Sequence, residues 1–325
     1  MRRLLLTAAV ATAAALTLTA CGTTEPAADD AKKTAERISL TDATGAKVEL
    51  DGPAKKVVGT EWNVVENLIS LGVDPAGVAD VKGYKTWDTA VPLKNEPKDI
   101  GTRGEPSMDT IASLAPDLIV ATSDLPPAAV KQLRKVAPVL EVRAADASDP
   151  IGQMTENLDL IAKATGTTER AEKLKKDFET KLAEGKKALA DAGLAGTKYA
   201  FADGYVVSNQ VSIRPYTSGS LIGGVNEQLG LKNAWTVKGD ESYGLAATDV
   251  EGLTKLGDVQ FAYIGSEGDK ASTPFNGVLA KDKVWTSLPF VKKGNVHRLP
   301  DGIWMFGGPE SMGKYVDAVV QALTK

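Results

Sequence analysis

The residues able to do chemistry are few, and their types point to recognition rather than turnover. The 325-residue sequence holds one histidine, His297, and one cysteine, Cys21. A single histidine excludes an HExxH zinc site and any multi-histidine metal cage, and a Ser-His-Asp enzyme would have to use His297 itself. That residue lies in Gly294–Leu299, whose alternation predicts a short surface strand, and no G-x-S-x-G turn occurs. Neither a G-x-x-x-x-G-K-[ST] loop nor a G-x-G-x-x-G after a strand is present, so nucleotide binding has no support. What remains is a set of aromatics and arginines just after strand-like runs. Trp62 follows Val57-Val58-Gly59, Tyr84 and Trp87 occupy a loop after Val78-Ala79-Asp80, and Arg103 sits in Gly101–Pro106. Arg214 and Tyr216 fall in a loop at Ile213–Gly219, Tyr243 precedes Gly244, and Trp304 and Phe306 lie between Gly302 and Gly307. Aromatic rings supply flat apolar walls and arginine a rigid fork of donors for oxygen-rich ligands. Flanking glycines would let a ligand approach the backbone closely.

The elements that must position these residues alternate strand with helix. Ile38–Leu50 predicts a hairpin around a Thr-Gly turn. Strand-like runs follow at Val57–Gly59, Ala76–Ala79, Leu118–Thr122 and Val139–Val142, with helical spacing after Trp62 and at Ser107–Leu114 and Ala128–Val136. From Pro150 to about Ala192 an Ala/Lys/Glu/Leu-rich stretch predicts one long helix or two in tandem. A second set then begins, with strands at Tyr199–Ala202, Val259–Ile264 and Val296–Leu299 and helices at Leu221–Leu229 and Ser311–Leu323. The fold class is therefore α/β: two βαβ lobes with mainly parallel sheets, 38–149 and 194–325, joined by a long interlobe helix over 150–193. The lobes echo each other. Ser107-Met108-Asp109 opens a capped short helix running into a buried strand, as does Asp249-Val250-Glu251, which puts an acid at the third position of each. Two such lobes enclose a cleft beyond the carboxyl ends of their strands.

At the N-terminus, Met1-Arg2-Arg3 precedes an apolar run ending in small residues at Ala20, which predicts an export signal over 1–20. Its removal leaves 36 basic against 42 acidic side chains, unsuited to a nucleic-acid backbone. With Cys21 the sole cysteine, the exported domain has no disulfide. Leu18-Thr19-Ala20-Cys21-Gly22 resembles the bacterial lipobox, in which the cysteine becomes the lipid-modified first residue, and the polar segment 21–37 then reads as a flexible tether. The alternative is an uncleaved anchor of about 17 residues, near the lower limit for spanning.

Taken in order, Glu61-Trp62-Asn63-Val64-Val65-Glu66, Leu71-Gly72-Val73, Tyr84-Lys85-Thr86-Trp87, Gly101-Thr102-Arg103-Gly104-Glu105-Pro106, Asn233-Ala234-Trp235, Leu288-Pro289-Phe290 and Trp304-Met305-Phe306-Gly307 resemble the ferric-hydroxamate branch of the siderophore-binding proteins that feed ABC importers. The resemblance covers everything after residue 38. It implies a class III periplasmic-binding-protein fold with little hinge motion and a shallow aromatic cleft. Arg103 would contact hydroxamate oxygens, Trp87, Tyr243 and Trp304 would line the cleft, and Asp109 and Glu251 would pair with permease arginines. It further implies a monomer, lipid-anchored at Cys21 on the outer face of the bacterial cytoplasmic membrane, that captures ferrioxamines or ferrichromes without a cofactor, a protein-held metal or enzymatic activity. Thr122–Pro127 lacks the tyrosine of some relatives and Tyr243 stands where some have tryptophan, which leaves the siderophore open. The alternatives are a membrane-tethered hydrolase with an acidic pair in the cleft, or a binder of haem or a catecholate siderophore.

Overall fold

The computed structural model describes residues 37–208 and 210–325. The export signal, Cys21 and the tether up to residue 36 lie outside the described residues. Alternation folds Ile38–Thr41 (β1) against Lys47–Leu50 (β2), with Ile38 opposite Leu50. Val57–Gly59 (β3), Gly77–Val78 (β4), Lys98–Asp99 (β5), Leu118–Thr122 (β6) and Val139–Val142 (β7) then form an all-parallel sheet in the order β5-β4-β3-β6-β7. Except at the exposed edge strand β5, its strands are covered on both faces, so β3, β6 and β7 are buried runs without alternation. The crossovers are Trp62–Ser70 (α1), Val81–Trp87 (α2), Met108–Leu114 (α3) and Pro127–Leu133 (α4).

Of the two expected forms of the long connection, one helix or two in tandem, the structure has two, Pro150–Thr165 (α5) and Thr168–Asp191 (α6). Gly166 ends the first in the left-handed region at φ +70, against the Pro53 ring, a conformation that breaks the helix there. α5 stays on the first sheet, while α6 packs along the last helix. The second sheet comprises Lys198–Val207 (β8), Gln210–Pro215 (β9), Lys232–Asn233 (β10), Gln260–Tyr263 (β11) and Val296–Arg298 (β12). It is parallel in the order β10-β8-β11-β12 except for β9, which runs antiparallel to the outer half of β8. Leu221–Gln228 (α7), Lys283–Ser287 (α8), Pro289–Lys292 (α9) and Pro309–Thr324 (α10) complete the described helices.

Three expectations are corrected. Tyr84 and Trp87 lie on α2, not in a loop, because Asp80 accepts a hydrogen bond from Gly83 N and starts a helix there. Arg214 lies on β9, since β8 runs five residues beyond Ala202 and returns as a hairpin. The Glu251 segment is a 3-10 helix, Glu251–Lys255, although Asp249 Oδ1 still accepts from Gly252 N at 2.9 Å.

One apolar core joins the two sheet systems. Trp62, Val65 and Ile69 of α1 and Tyr84 of α2 belong to the same buried cluster as Phe201, Met305, Tyr315 and Val316. Opening the halves would expose that cluster, so the seam is a core and not a loose hinge.

Candidate functional site

A cavity of about 400 Å³ lies at this seam, lined by Glu61, Trp62, Asn63, Trp87, Arg103, Tyr205, Arg214, Tyr243, Leu245, Trp304 and Phe306. The first sheet contributes Glu61 and Trp62 directly after β3, Trp87 at the end of α2 after β4, and Arg103 in the turn after β5. The second contributes Tyr205 and Arg214 from the β8–β9 hairpin, which lifts both beyond the parallel part of the sheet. This is the carboxyl end of the parallel strands.

The walls are aromatic. Trp62 and Trp304 meet edge to face at 4.8 Å, Trp304 meets Phe306 at 5.2 Å, and Phe306 meets Tyr243 at 5.5 Å. Trp87 and Tyr205 pair at 6.1 Å. Trp62 Nε1 donates to Ala79 O at 3.1 Å, whereas buried Trp304 Nε1 has no acceptor among the described residues. An unmade bond of that kind is costly.

Each arginine is already matched by a carboxylate. Arg103 donates to Glu61 Oε1 at 2.8 Å, and its guanidinium lies 4.0 Å from the Trp62 ring centroid. Glu61 also accepts from Trp62 N at 2.9 Å, as the cap of α1. Arg214 grips buried Asp203 with two nitrogens, one at 2.9 Å, and lies 5.4 Å from the Phe306 ring. Asp203 and Arg214 are directly opposite in the hairpin register. Burial pushes the Asp203 carboxyl up while Arg214 pulls it back. Burial works against the Arg214 charge, but Tyr216 and Asp203 outweigh it and hold the guanidinium above its usual value. Burial and Asp203 push Tyr205 up to about 12, so its hydroxyl stays a donor. Across the cleft mouth the Tyr243 hydroxyl donates to Asp124 Oδ2, and burial and that carboxylate raise its pKa.

Of the residues expected here, Trp62, Trp87, Arg103, Arg214, Tyr243, Trp304 and Phe306 line the cavity. Tyr84 and Tyr216 do not. Tyr84 is fully buried, its hydroxyl donating to Val91 O at 2.6 Å, and Tyr216 lies behind Phe306 with its hydroxyl on Asp203 at 3.2 Å. The glycines around Trp304 make room for protein and not for ligand: a Cβ at Gly302 would strike Thr89, and one at Gly307 would strike the Glu66 carboxylate. Tyr205, Glu61 and Asp203 were missed. His297 is half-buried on β12, its Nε2 2.6 Å from Gln260 Oε1, and burial lowers its pKa. Asp109 and Glu251 are exposed, one at the start of α3 beyond the Arg103 turn, the other following Thr248, which pairs with Ile213 beside Arg214.

The chain is similar to the iron(3+)-hydroxamate-binding protein FhuD of Escherichia coli, 24% identical over 82% of this chain and 86% of that one. It is 28% identical to the Fe(3+)-citrate-binding protein YfmC of Bacillus subtilis, over 79% and 77%. With the probable siderophore-binding lipoprotein YfiY of Bacillus subtilis it shares 24% identity over 93% and 92%. The solved structure of the Fe3+-Desferal-bound siderophore-binding protein FhuD from Vibrio cholerae has the same fold, with a TM-score of 0.73 at 24% identity over 83% of this chain and 98% of that one. A family model described as periplasmic binding protein matches residues 57–302, from the first strand of the parallel sheet to within two residues of Trp304, and the chain belongs to that family.

Proposed function

We propose that the protein is a non-catalytic receptor for ferric siderophores of the hydroxamate type, which it carries to an ABC importer. The observation that carries this reading is that neither arginine of an aromatic cavity is left uncompensated: Arg103 is paired with Glu61 and Arg214 with Asp203. Three hydroxamate anions cancel the charge of ferric iron, whereas three catecholate dianions leave a triply negative complex. A cavity whose arginines are both compensated suits the former, and a polyanion would want uncompensated arginines. Ferric iron arrives within six siderophore oxygens, so the protein needs only to hold the outside of the complex. Rings take its methylene rim, while the Arg103 and Arg214 forks take its oxygens.

The similarity to hydroxamate- and citrate-binding relatives supports the ferric-complex class, and the lipobox-like sequence with the similarity to a lipoprotein supports a tether at Cys21. The lobes 38–149 and 194–325 flank the cleft as a monomer, and Asp109 and Glu251 are the carboxylates offered to the permease. Titration with ferrioxamine-type, ferrichrome-type, triscatecholate and citrate complexes of ferric iron, followed by tryptophan fluorescence, tests the reading. Quenching is expected by the hydroxamates without chemical change of the ligand. Tighter binding of haem or a catecholate, or turnover of a glycoside, would sink it.

A further inference from the structure

Behind the cavity two carboxyl groups meet without a cation. Glu66, in the second turn of α1, and Asp88, the residue that closes α2, are both 0% exposed. Glu66 Oε1 accepts from Gly308 N at 2.8 Å and Ser311 N at 3.1 Å, and Oε2 accepts from Ser311 Oγ at 2.9 Å, so it caps α10 from the other half of the molecule. Neither oxygen of Asp88 accepts a well-formed hydrogen bond from a described donor, although Val91 N and the Tyr84 hydroxyl face it. Other polar groups nearby supply no countercharge. On α2, Tyr84 gives its hydroxyl proton to Val91 O. On α10, Lys314 Nζ donates to Ala90 O, and Glu310 faces Arg170 of α6 at 3.7 Å. Asn67, one residue along α1, leaves its own Oδ1 without a donor.

Two ionised carboxylates in such a place would be prohibitively costly, and a buried acid escapes that cost by keeping its proton. Because the Glu66 oxygens already accept three N–H and O–H donors, they suit the anion, while the less satisfied oxygens of Asp88 suit the acid. We propose that Glu66 and Asp88 hold one proton between them at neutral pH, and that this pair is the positioning element for the cavity walls. Burial pushes Glu66 up to about 7, and burial together with the Glu66 charge pushes Asp88 up to about 10; the two titrate as a unit.

The pair lies on or against the segment that carries each tryptophan of the cavity. α1 starts with Trp62, Trp87 is bonded to Asp88, and Trp304 and Phe306 run directly into Gly307 and Gly308, whose lack of a side chain admits the Glu66 carboxylate. Ala90 N donates to Gly302 O at 2.8 Å, which ties the segment after Asp88 to the one carrying Trp304.

In the unfolded chain both acids ionise near pH ~4. Between that pH and the folded pKa only the folded state holds the proton, so its contribution to stability is full below pH ~4 and is lost as pH rises through the folded pKa. The unfolding constant should therefore climb about tenfold per pH unit for each such proton between pH 5 and 7. Urea unfolding of the full-length protein at pH 5, 6, 7 and 8 tests this against Asp88→Asn, whose amide N–H gives Glu66 a permanent donor. The expected result is a pH dependence shallower by about tenfold per unit in the variant; parallel profiles would overturn the shared proton. Should that variant not fold, infrared spectroscopy of the unaltered protein at pH 7 decides, because absence of a protonated carboxylic-acid carbonyl band would equally overturn it.

The positioning role is read from near-ultraviolet circular dichroism, which senses the Trp62–Trp304 contact with no ligand present. Asp88→Asn should keep that signal and Asp88→Ala should lose it; an unchanged Asp88→Ala spectrum contradicts the role. A last arm rests on the siderophore reading: ferric ferrioxamine should bind Asp88→Asn as it binds the parent, and Asp88→Ala tenfold or more weakly. Failure of the parent to bind ferrioxamine would count against the siderophore reading, while the pH profiles and spectra would still decide the proton.

Discussion

Arg103 illustrates how much one side chain is asked to do. It stacks 4.0 Å from Trp62, donates to Glu61 at 2.8 Å, and still opens onto the cavity. A charge-assisted hydrogen bond lost to a ligand oxygen costs about 1.5 to 3 kcal/mol. Arg103→Ala is therefore expected to weaken ferrioxamine binding by about tenfold or more, measured by tryptophan quenching, and unchanged affinity would contradict the contact. Glu61 provides the reciprocal test. Glu61→Gln keeps an acceptor oxygen for Arg103 but removes the compensating charge, so the cavity should gain affinity for anionic ferric complexes such as citrate relative to neutral ones. If the ratio between the two classes does not move, charge compensation is not what selects the ligand.

The β8–β9 hairpin is the element that the sequence concealed. The apolar run Tyr199–Ala202 is legible as a strand, but the five residues that follow place Asp203 and Tyr205 among glycine and valines, and their period-2 alternation became meaningful only once β9 paired with them. The signal was there: an acid inside an apolar strand needs a partner, and Arg214 lies 11 residues on. Tyr84 and Tyr216 failed for the opposite reason. Nothing in their spacing distinguishes a ring turned toward the cleft from one turned into the core, and the acceptors that hold them inside, Val91 O and the Asp203 carboxylate, are set by the folded loop and hairpin. The two sets of parallel strands, the helical connection from Pro150 and seven of the nine residues expected to line the cavity were legible because buried parallel strands and aromatics near strand ends leave strong local patterns. Tyr205 is half-buried and contacts Trp87 across the cavity. Loss of its pairing with Trp87 costs only ~0.5 to 1.5 kcal/mol beyond area burial, so Tyr205→Ala should lower the urea midpoint modestly while removing a cavity wall and lowering hydroxamate affinity several-fold. A collapse of the midpoint would make the hairpin structural rather than ligand-facing.

At the scale of the whole molecule, a core shared between the halves leaves little room for closure to signal that ligand is bound, so recognition by an importer must use surface that is always on display. Asp109 and Glu251 meet that requirement. Both are exposed, each follows a polar cap, Ser107 Oγ to Thr110 N at 3.3 Å and Asp249 Oδ1 to Gly252 N at 2.9 Å, and each lies just beyond a segment that carries or adjoins a cavity arginine. First-turn acids also favour helix N-termini, so either alone needs no partner to explain it. Equivalent acids on two halves, however, suit two basic sockets on a two-subunit permease, and exposed ion pairs of this kind set register and encounter rate more than raw affinity. The double variant Asp109→Ala/Glu251→Ala is expected to bind ferric ferrioxamine as tightly as the parent in solution yet to support little uptake in cells. Each single variant should retain partial uptake, and the parent's association with permease in membranes should weaken as salt rises past the point where the Debye length falls below about 10 Å. Uptake by the double variant equal to the parent's at matched protein level would leave the two acids as first-turn charges that favour their helix N-termini and place the docking surface elsewhere.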